Sequence, residues 1–293
     1  MYSNILYKER ELENMPPDAL SKIRGITIVN GTNRIKKSTF TSDDGTSEIL
    51  SDISVPWKTS SAAFQMIIPD ATIDISKMET GWREFLLQFS THIKSLNILV
   101  PIDDLSFIDS FSALKDLTLI GSNCSNWDFF SSLPHLHMLV ISGCNSFETS
   151  ALGLIADTQA SFPYTDRFPS KLNYVCIEKC GISDISVFRK FKYFSELDLS
   201  DNLIEDVSAL SSLFISDLTL KNNKITDVSP LYNTDYLLDI SYNEVSELPA
   251  WFSSSGIRRL FIDHNKITDF HRIYEMNLRE TDFVDYWEKR DKW

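Results

Sequence analysis

Along the second half of the chain, apolar residues come in pairs separated by a single outward position, and the pairs recur with a long, regular period. Leu197-Asp198-Leu199 is followed by Asn202 and Ile204, and Leu218-Thr219-Leu220 by Asn223 and Ile225. Leu238-Asp239-Ile240 leads to Asn243 and Val245, and Leu260-Phe261-Ile262 to Asn265 and Ile267. The asparagines step by 21, 20 and 22 residues. Alternation with a period of two is the signature of a short strand with one face buried. A fixed period near twenty residues means one structural unit repeated. Each unit therefore predicts a strand whose two apolar residues point inward, followed by an asparagine that turns in to bond the backbone of the turn. A segment of the type Ile-x-Asp-Val-Ser then carries the chain to the opposite side.

The register runs backwards in weaker form. Val175-Cys176-Ile177 precedes Cys180 and Ile182, Leu139-Val140-Ile141 precedes Cys144, and Leu117-Thr118-Leu119 precedes Ser122. Leu96-Asn97-Ile98 precedes Pro101, and Ile73-Asp74-Ile75 is a candidate first, degenerate unit, giving eight or nine in all. The step from Cys144 to Cys180 is 36 residues, so about fourteen are inserted, placed between residues 145 and 170. Cys144 and Cys180 stand where other units have asparagine. A compact, easily buried thiol with a weak donor suits that slot; a disulfide between the two adjacent rungs is the alternative.

The ends must close the stack. Residues 1–95 lack the full motif and are expected to form an N-terminal α/β cap region, including the degenerate unit at 73–95. Ile26-Thr27-Ile28-Val29 and residues 63–68 predict strands, and residues 30–45 a loop or hairpin. Trp82, Phe85, Leu86, Phe89 and Ile93 follow helical spacing and predict an amphipathic helix whose aromatic stripe is core. Units occupy 96–270. Residues 271–293, with Ile273, Tyr274, Met276, Leu278, Phe283, Tyr286 and Trp287, are expected to close the last coil.

The repeated pattern resembles the 22-residue leucine-rich-repeat class typified by the internalins, with NKITDVSPL at Asn223–Leu231 as its closest match. The resemblance implies an α/β solenoid: a right-handed horseshoe with a parallel sheet on its concave face and short 3-10 or irregular convex segments. It also implies a binding role.

In that geometry the residues flanking and separating the two inward leucines face the concave surface. The later units contribute an acidic strip with apolar anchors: Tyr174, Glu178, Glu196, Asp198, Asp217, Leu237, Asp239, Phe261 and Asp263. Glu196 and Asp217 fall on neighbouring strands, about 4.8 Å apart, where like charges repel by roughly 0.9 kcal/mol even in water. Folding gains nothing from that pairing, so a docking surface for Lys and Arg is one reading and a solvated face of an acidic protein the other. The earlier units contribute an apolar patch, Leu99, Ile120, Met138 and Val140. Either it is an interface, or the insertion or the N-terminal region covers it.

Charge narrows the partner. The 293 residues carry a formal net charge of −13. That field repels phosphate backbones and anionic membranes, and favours a partner protein with a basic surface. No nucleic acid, no membrane and no cofactor is expected, and the free chain is expected to be monomeric. The N-terminal twenty residues hold no apolar leader, from which a cytoplasmic location is expected. Catalysis finds no support: P-loop, GxGxxG, HExxH and nucleophile-elbow motifs are missing, and His135-x-His137 lacks a third ligand for zinc. The expectation is a non-catalytic protein-interaction module. Two alternatives are an immunity protein that masks a basic toxin such as a nuclease, and an exported adhesin or host-binding effector.

Overall fold

The computed structural model describes residues 25–29, 37–42, 45–50, 71–74, 81–160 and 171–283. Its centre is one parallel sheet of eleven strands. In chain order the strands are β1 (Gly25–Val29), β2 (Lys37–Ser42), β3 (Gly45–Leu50), β4 (Ala71–Asp74), β5 (Ser95–Ile98), β6 (Asp116–Ile120) and β7 (Met138–Ser142). There follow β8 (Tyr174–Glu178), β9 (Tyr193–Asp198), β10 (Phe214–Thr219), β11 (Thr234–Asp239), β12 (Arg259–Phe261) and β13 (Glu280–Thr281). From β5 to β13 the sheet order follows the chain, as stacked repeats require. The inner leucines meet in register: Leu96 with Leu117, Leu117 with Leu139, Leu197 with Leu218, and Leu238 with Leu260. All are fully buried. Each such side chain stabilises the fold by roughly 1.5–3 kcal/mol relative to exposure.

The first strands depart from chain order. β1 lies between β4 and β5, with Ile26 opposite Leu96 on one side and opposite Ala71 on the other. Ile26-Thr27-Ile28 therefore supplies the rung beside Leu96, with Ile26 and Ile28 fully buried, and the segment Ala71–Asp74 forms the sheet's outer edge. Counting from Ile26, the motif's asparagine position falls on Gly31, with Asn30 and Asn33 out of phase, which hid its kinship with the later rungs. β2 and β3 form a separate antiparallel pair, β2 inside the stretch 30–45 read as loop or hairpin and β3 running past it to Leu50. The expected helix over 82–93 is shorter: α1 spans Trp82–Leu87 and gives way to turns through Ser90 and Thr91, residues that compete with helix by bonding nearby backbone. Leu86, Phe89 and Ile93 are buried nonetheless. The strand expected at 63–68, residues 161–170 of the insertion, and Tyr286 and Trp287 lie outside the described residues.

Short helical segments form a second layer behind the sheet, among them the 3-10 turns Ser106–Ser110, Asp128–Ser132, Ser186–Lys190, Ser208–Leu210 and Ser229–Leu231. An Asp or Asn two residues ahead opens each of them by accepting a backbone N–H: Asp104 from Ser106, Asn126 from Asp128, Asp184 from Ser186, Asp206 from Ser208 and Asp227 from Ser229, at 2.7–3.1 Å. The Asp of Ile-x-Asp-Val-Ser is thus the residue that bends the chain, by the Asx-turn geometry open to short polar side chains.

Between strand and convex turn runs a ladder of side-chain amides. Asn223 Nδ2 donates to the carbonyls of Leu199 and Leu220, each at 3.0 Å, and its Oδ1 accepts the amide of Ile204 at 3.0 Å. Asn202, Asn243 and Asn265 repeat the pattern. Cys180 Sγ lies 3.1 Å from the Glu178 carbonyl and 3.8 Å from that of Ile141, the donor half of the same arrangement. Both cysteines are buried free thiols. The residue just before each rung is held at positive φ: Gly121, Gly143, Lys179, Asp201, Asn222, Tyr242 and His264, between 53° and 68°.

Within the insertion, α2 (Leu152–Gln159) belongs to the convex layer. Thr158 Oγ1 donates to the Ser131 carbonyl, Asp157 pairs with Lys190 at 2.8 Å, and buried Gln159 bonds the Leu136 carbonyl and the Leu172 amide. This helix therefore lies on the far side of the sheet from the apolar patch, rather than over it. At the other end Ile273, Met276 and Leu278 are buried against the last coil.

Candidate functional site

The sheet's second face carries three rows of side chains, because successive residues of each strand alternate between faces. In the first row Met138 stands beside Tyr174, Tyr174 beside Glu196, Glu196 beside Asp217, Asp217 beside Leu237 and Leu237 beside Arg259. The second row runs Val140, Cys176, Asp198, Thr219, Asp239, Phe261. The third sets Ile120 beside Ser142 and Ser142 beside Glu178, with Leu99 before them and Asp263 at the far end. Every residue singled out in the sequence thus stands on this one face.

The rows are not equally open. Val140 is fully buried, and Leu99, Ile120 and Met138 are half-buried, so the earlier strands present no broad apolar patch to solvent. Glu178, Glu196 and Leu237 are buried, and Tyr174, Asp198, Asp217, Asp239 and Phe261 half-buried. Asp263 is exposed. Periodicity reports which way a side chain points, but not how closely its neighbours crowd it.

Burial of so many carboxylates in one place alters their chemistry. Loss of solvent, reinforced by the charges of Asp217 and Asp198, pushes Glu196 up to about 8. Asp198 is pushed up to about 6 by burial, against the opposing hydrogen bonds of Ser200. Burial likewise raises Asp217 and Asp239, and lifts Asp116 on β6 to about 6. Several of these acids already have partners. Asp198 accepts the amide and hydroxyl of Ser200 at 2.9 and 2.5 Å, and Asp239 those of Ser241 at 2.9 and 2.6 Å. Glu178 accepts from Ser142 Oγ at 2.7 Å and Lys179 at 3.3 Å. Glu196 differs, since its Oε2 is buried with no hydrogen-bond donor. Among the described residues Asp217 has the weak 3.2 Å contact of Ser216 Oγ and the charge of Arg259 to offset its burial. Glu196 and Asp217, two acids with little hydrogen bonding within the fold, are therefore adjacent, on β9 and β10.

The L-x-L reading missed an aromatic rim beside them. Phe214 is 62% exposed, Tyr232 53%, and Tyr193 and Tyr236 each 37%. The signal lay in the residues ahead of the motif, where Tyr193-Phe194 and Phe214-Ile215 read as one apolar run although only the second of each pair is buried. Of the histidines, His137 packs its ring on Tyr174 at 5.1 Å and is driven below the ordinary histidine range by burial. Among the described residues no group of three or more His, Cys, Asp or Glu is placed to hold a metal ion, and no helix is long and apolar enough to cross a membrane.

No protein-family profile matches the chain, and no curated protein sequence does. Among solved structures it is similar to internalin C2 of Listeria monocytogenes, at 18% identity over 62% of this chain and 76% of that one, with a TM-score of 0.49. A leucine-rich-repeat protein of Leptospira interrogans is 16% identical over 68% of this chain and 50% of its own, with a TM-score of 0.48. TLR13, in a complex with ssRNA13, is 19% identical over 66% of this chain and 29% of its own, again at 0.48. Likeness of this degree leaves the reading of the face to its own geometry. One expectation is corrected here. The cytoplasmic location does not stand beside internalin C2, internalin F and TLR13, to which the chain is similar. That location rested on a missing apolar leader, and such an absence excludes no route outward.

Proposed function

We propose that this chain is a protein-interaction module that receives a basic partner protein on the acidic half of the sheet's open face. One observation carries the reading: Glu196, Asp198, Asp217 and Asp239 are gathered on neighbouring strands, with every one of them pushed upward by burial. Like charges brought together out of water work against folding, and such clusters are a hallmark of sites whose cost is offset when a ligand arrives. Arg or Lys side chains would supply the missing counter-charge and the missing donors. Around these acids the strip offers two cations, Lys221 and Arg259, and Arg259 is already paired with Glu280 at 2.6 Å. Tyr174, Leu237 and Phe261 flank the acids as apolar anchors in the same rows. Phosphate and anionic lipid would meet repulsion on this face. No step of the reading needs a cofactor or a reacting group, and a single copy of the chain suffices.

The test is retention of basic proteins on immobilised wild-type chain beside a variant carrying Glu196→Gln, Asp198→Asn, Asp217→Asn and Asp239→Asn. Circular dichroism must first show the two folded alike. Retention by wild type, released by salt and lost in the variant, is the expected result. Equal retention by both would remove the acidic face from the account.

A further inference from the structure

Strands β9, β10 and β11 are each six residues long, whereas the other strands of the large sheet have five or fewer. The added length lies at their starts and brings an extra rung, Tyr193 opposite Phe214 and Phe194 opposite Ile215. In β9 the order is Tyr193, Phe194, Ser195, Glu196; in β10 it is Phe214, Ile215, Ser216, Asp217. Both read exposed aromatic, buried apolar, serine, carboxylate. In each module the serine bonds one end, the aromatic in β9 and the carboxylate in β10. Tyr193 Oη lies 3.1 Å from Ser195 Oγ, one residue from Glu196, and Ser216 Oγ lies 3.2 Å from Asp217 Oδ1. Tyr236, the third residue of β11 and 37% exposed, immediately precedes Leu237, the register partner of Asp217.

This places the most exposed large apolar side chain among the described residues, Phe214, three residues ahead of Asp217 on the strand beside Glu196, whose buried Oε2 has no donor. Neither half stabilises the free chain: an exposed phenylalanine gains nothing from water, and the buried Glu196 oxygen lacks a donor. We infer that Tyr193, Phe214, Tyr236, Glu196 and Asp217 form one docking site for a segment of the partner protein that carries arginine beside aromatic or large apolar side chains. The inference rests on the basic-partner reading above and narrows it to three strands. Charge selects the occupant. A second copy of this chain would bring another net charge of −13 to the same acids, so self-association is disfavoured. Arginine fits better than lysine, since its planar guanidinium stacks on a ring while donating two parallel hydrogen bonds to a carboxylate.

The probes are two capped peptides, one alternating arginine with tryptophan and one alternating arginine with serine, titrated calorimetrically into the full chain at low salt. Wild type is expected to bind the tryptophan peptide about tenfold or more tightly than the serine peptide. Tyr193→Ser/Phe214→Ser should erase that margin and leave the serine peptide's affinity unchanged. Glu196→Gln/Asp217→Asn should weaken both, and Tyr242→Ser, an exposed aromatic elsewhere, should preserve the margin. Thermal melts confirm folding of each variant. Equal affinities in wild type, or a margin that survives the rim variant, would overturn the docking site; if the acid variant still weakened both peptides, the basic-partner reading would stand without it. Failure of wild type to bind either peptide would overturn both.

Discussion

At the scale of single residues, the asparagine ladder and the acidic strip pull stability in opposite directions. Asn223 satisfies three backbone carbonyls and one amide from a buried position, so Asn223→Ala strands several groups together. A loss of about 2 kcal/mol or more is expected, read from the midpoint of chemical denaturation. Glu196 has the reverse character. Its carboxyl titrates about 8 when folded and near the ordinary glutamate value when unfolded, so the folded state holds the extra proton between those values. Stability is then greatest on the acid side and falls as pH rises from the ordinary range to about 8. Glu196→Gln should flatten that slope and raise stability at pH 8 by ~1 kcal/mol or more. Denaturation of both proteins across that range checks it, and a variant no more stable than wild type at pH 8 would mean that the carboxyl is better solvated than its surroundings indicate. Gly143 isolates backbone conformation from packing. Its φ is 65°, and nothing lies within 4 Å of where a Cβ would stand. Gly143→Ala should therefore cost about 1–2 kcal/mol through the left-handed backbone alone.

At the scale of elements, several convex segments are each opened by one aspartate. Asp104, Asp184, Asp206, Asp227 and Asp269 are held below the ordinary carboxylate range mainly by hydrogen bonds to the residue two positions on. Their contribution is present above the unfolded carboxylate value and is lost as pH falls through the depressed folded one, opposite in sign to Glu196. The chain is accordingly expected to be most stable between the two ranges, with Asp206→Ala steepening the alkaline-to-neutral advantage of neither group but removing part of the acid-side loss; parallel acid melts of wild type and variant would show it. These elements differ in how far the sequence disclosed them. Strands β9 to β12 were legible because two inward apolar residues and a following asparagine form a long, repeated signal, and β5 to β8 because their apolar pairs continue it. The cysteine rungs were legible too, since Cys144 and Cys180 sit in phase. β1 was recognised as a strand but not as a rung of the main sheet, because its neighbour in space, β5, is some seventy residues away in the chain. The acidic strip could be read residue by residue, yet its burial could not: crowding depends on side chains from adjacent strands, which periodicity within one strand does not report. The aromatic rim escaped for a related reason, as Tyr193 and Phe214 look like core until the buried Phe194 and Ile215 claim the inward places.

At the scale of the whole molecule, stacking makes every strand depend on its neighbours, and the net charge of −13 acts on all of them at once. Self-repulsion of that size is screened by salt, so the melting temperature should rise as sodium chloride is added. A flat response would show the charge to be balanced locally. The sheet also has to stop. At the ends of the earlier strands, the amides of Leu199, Leu220 and Ile240 donate to carbonyls of the next strand: Thr219, Asp239 and Phe261. Ile262 has no such carbonyl to meet. Its amide and that of Asp263 donate instead to the side chain of Asp282, at 2.9–3.1 Å. One carboxylate thereby takes up the amides just past β12, where the two-residue edge strand β13 has already ended. A stack of identical rungs is a natural template for growth, and an edge strand of two residues, with an aspartate folded back on the strand behind it, offers a newcomer little to zip onto.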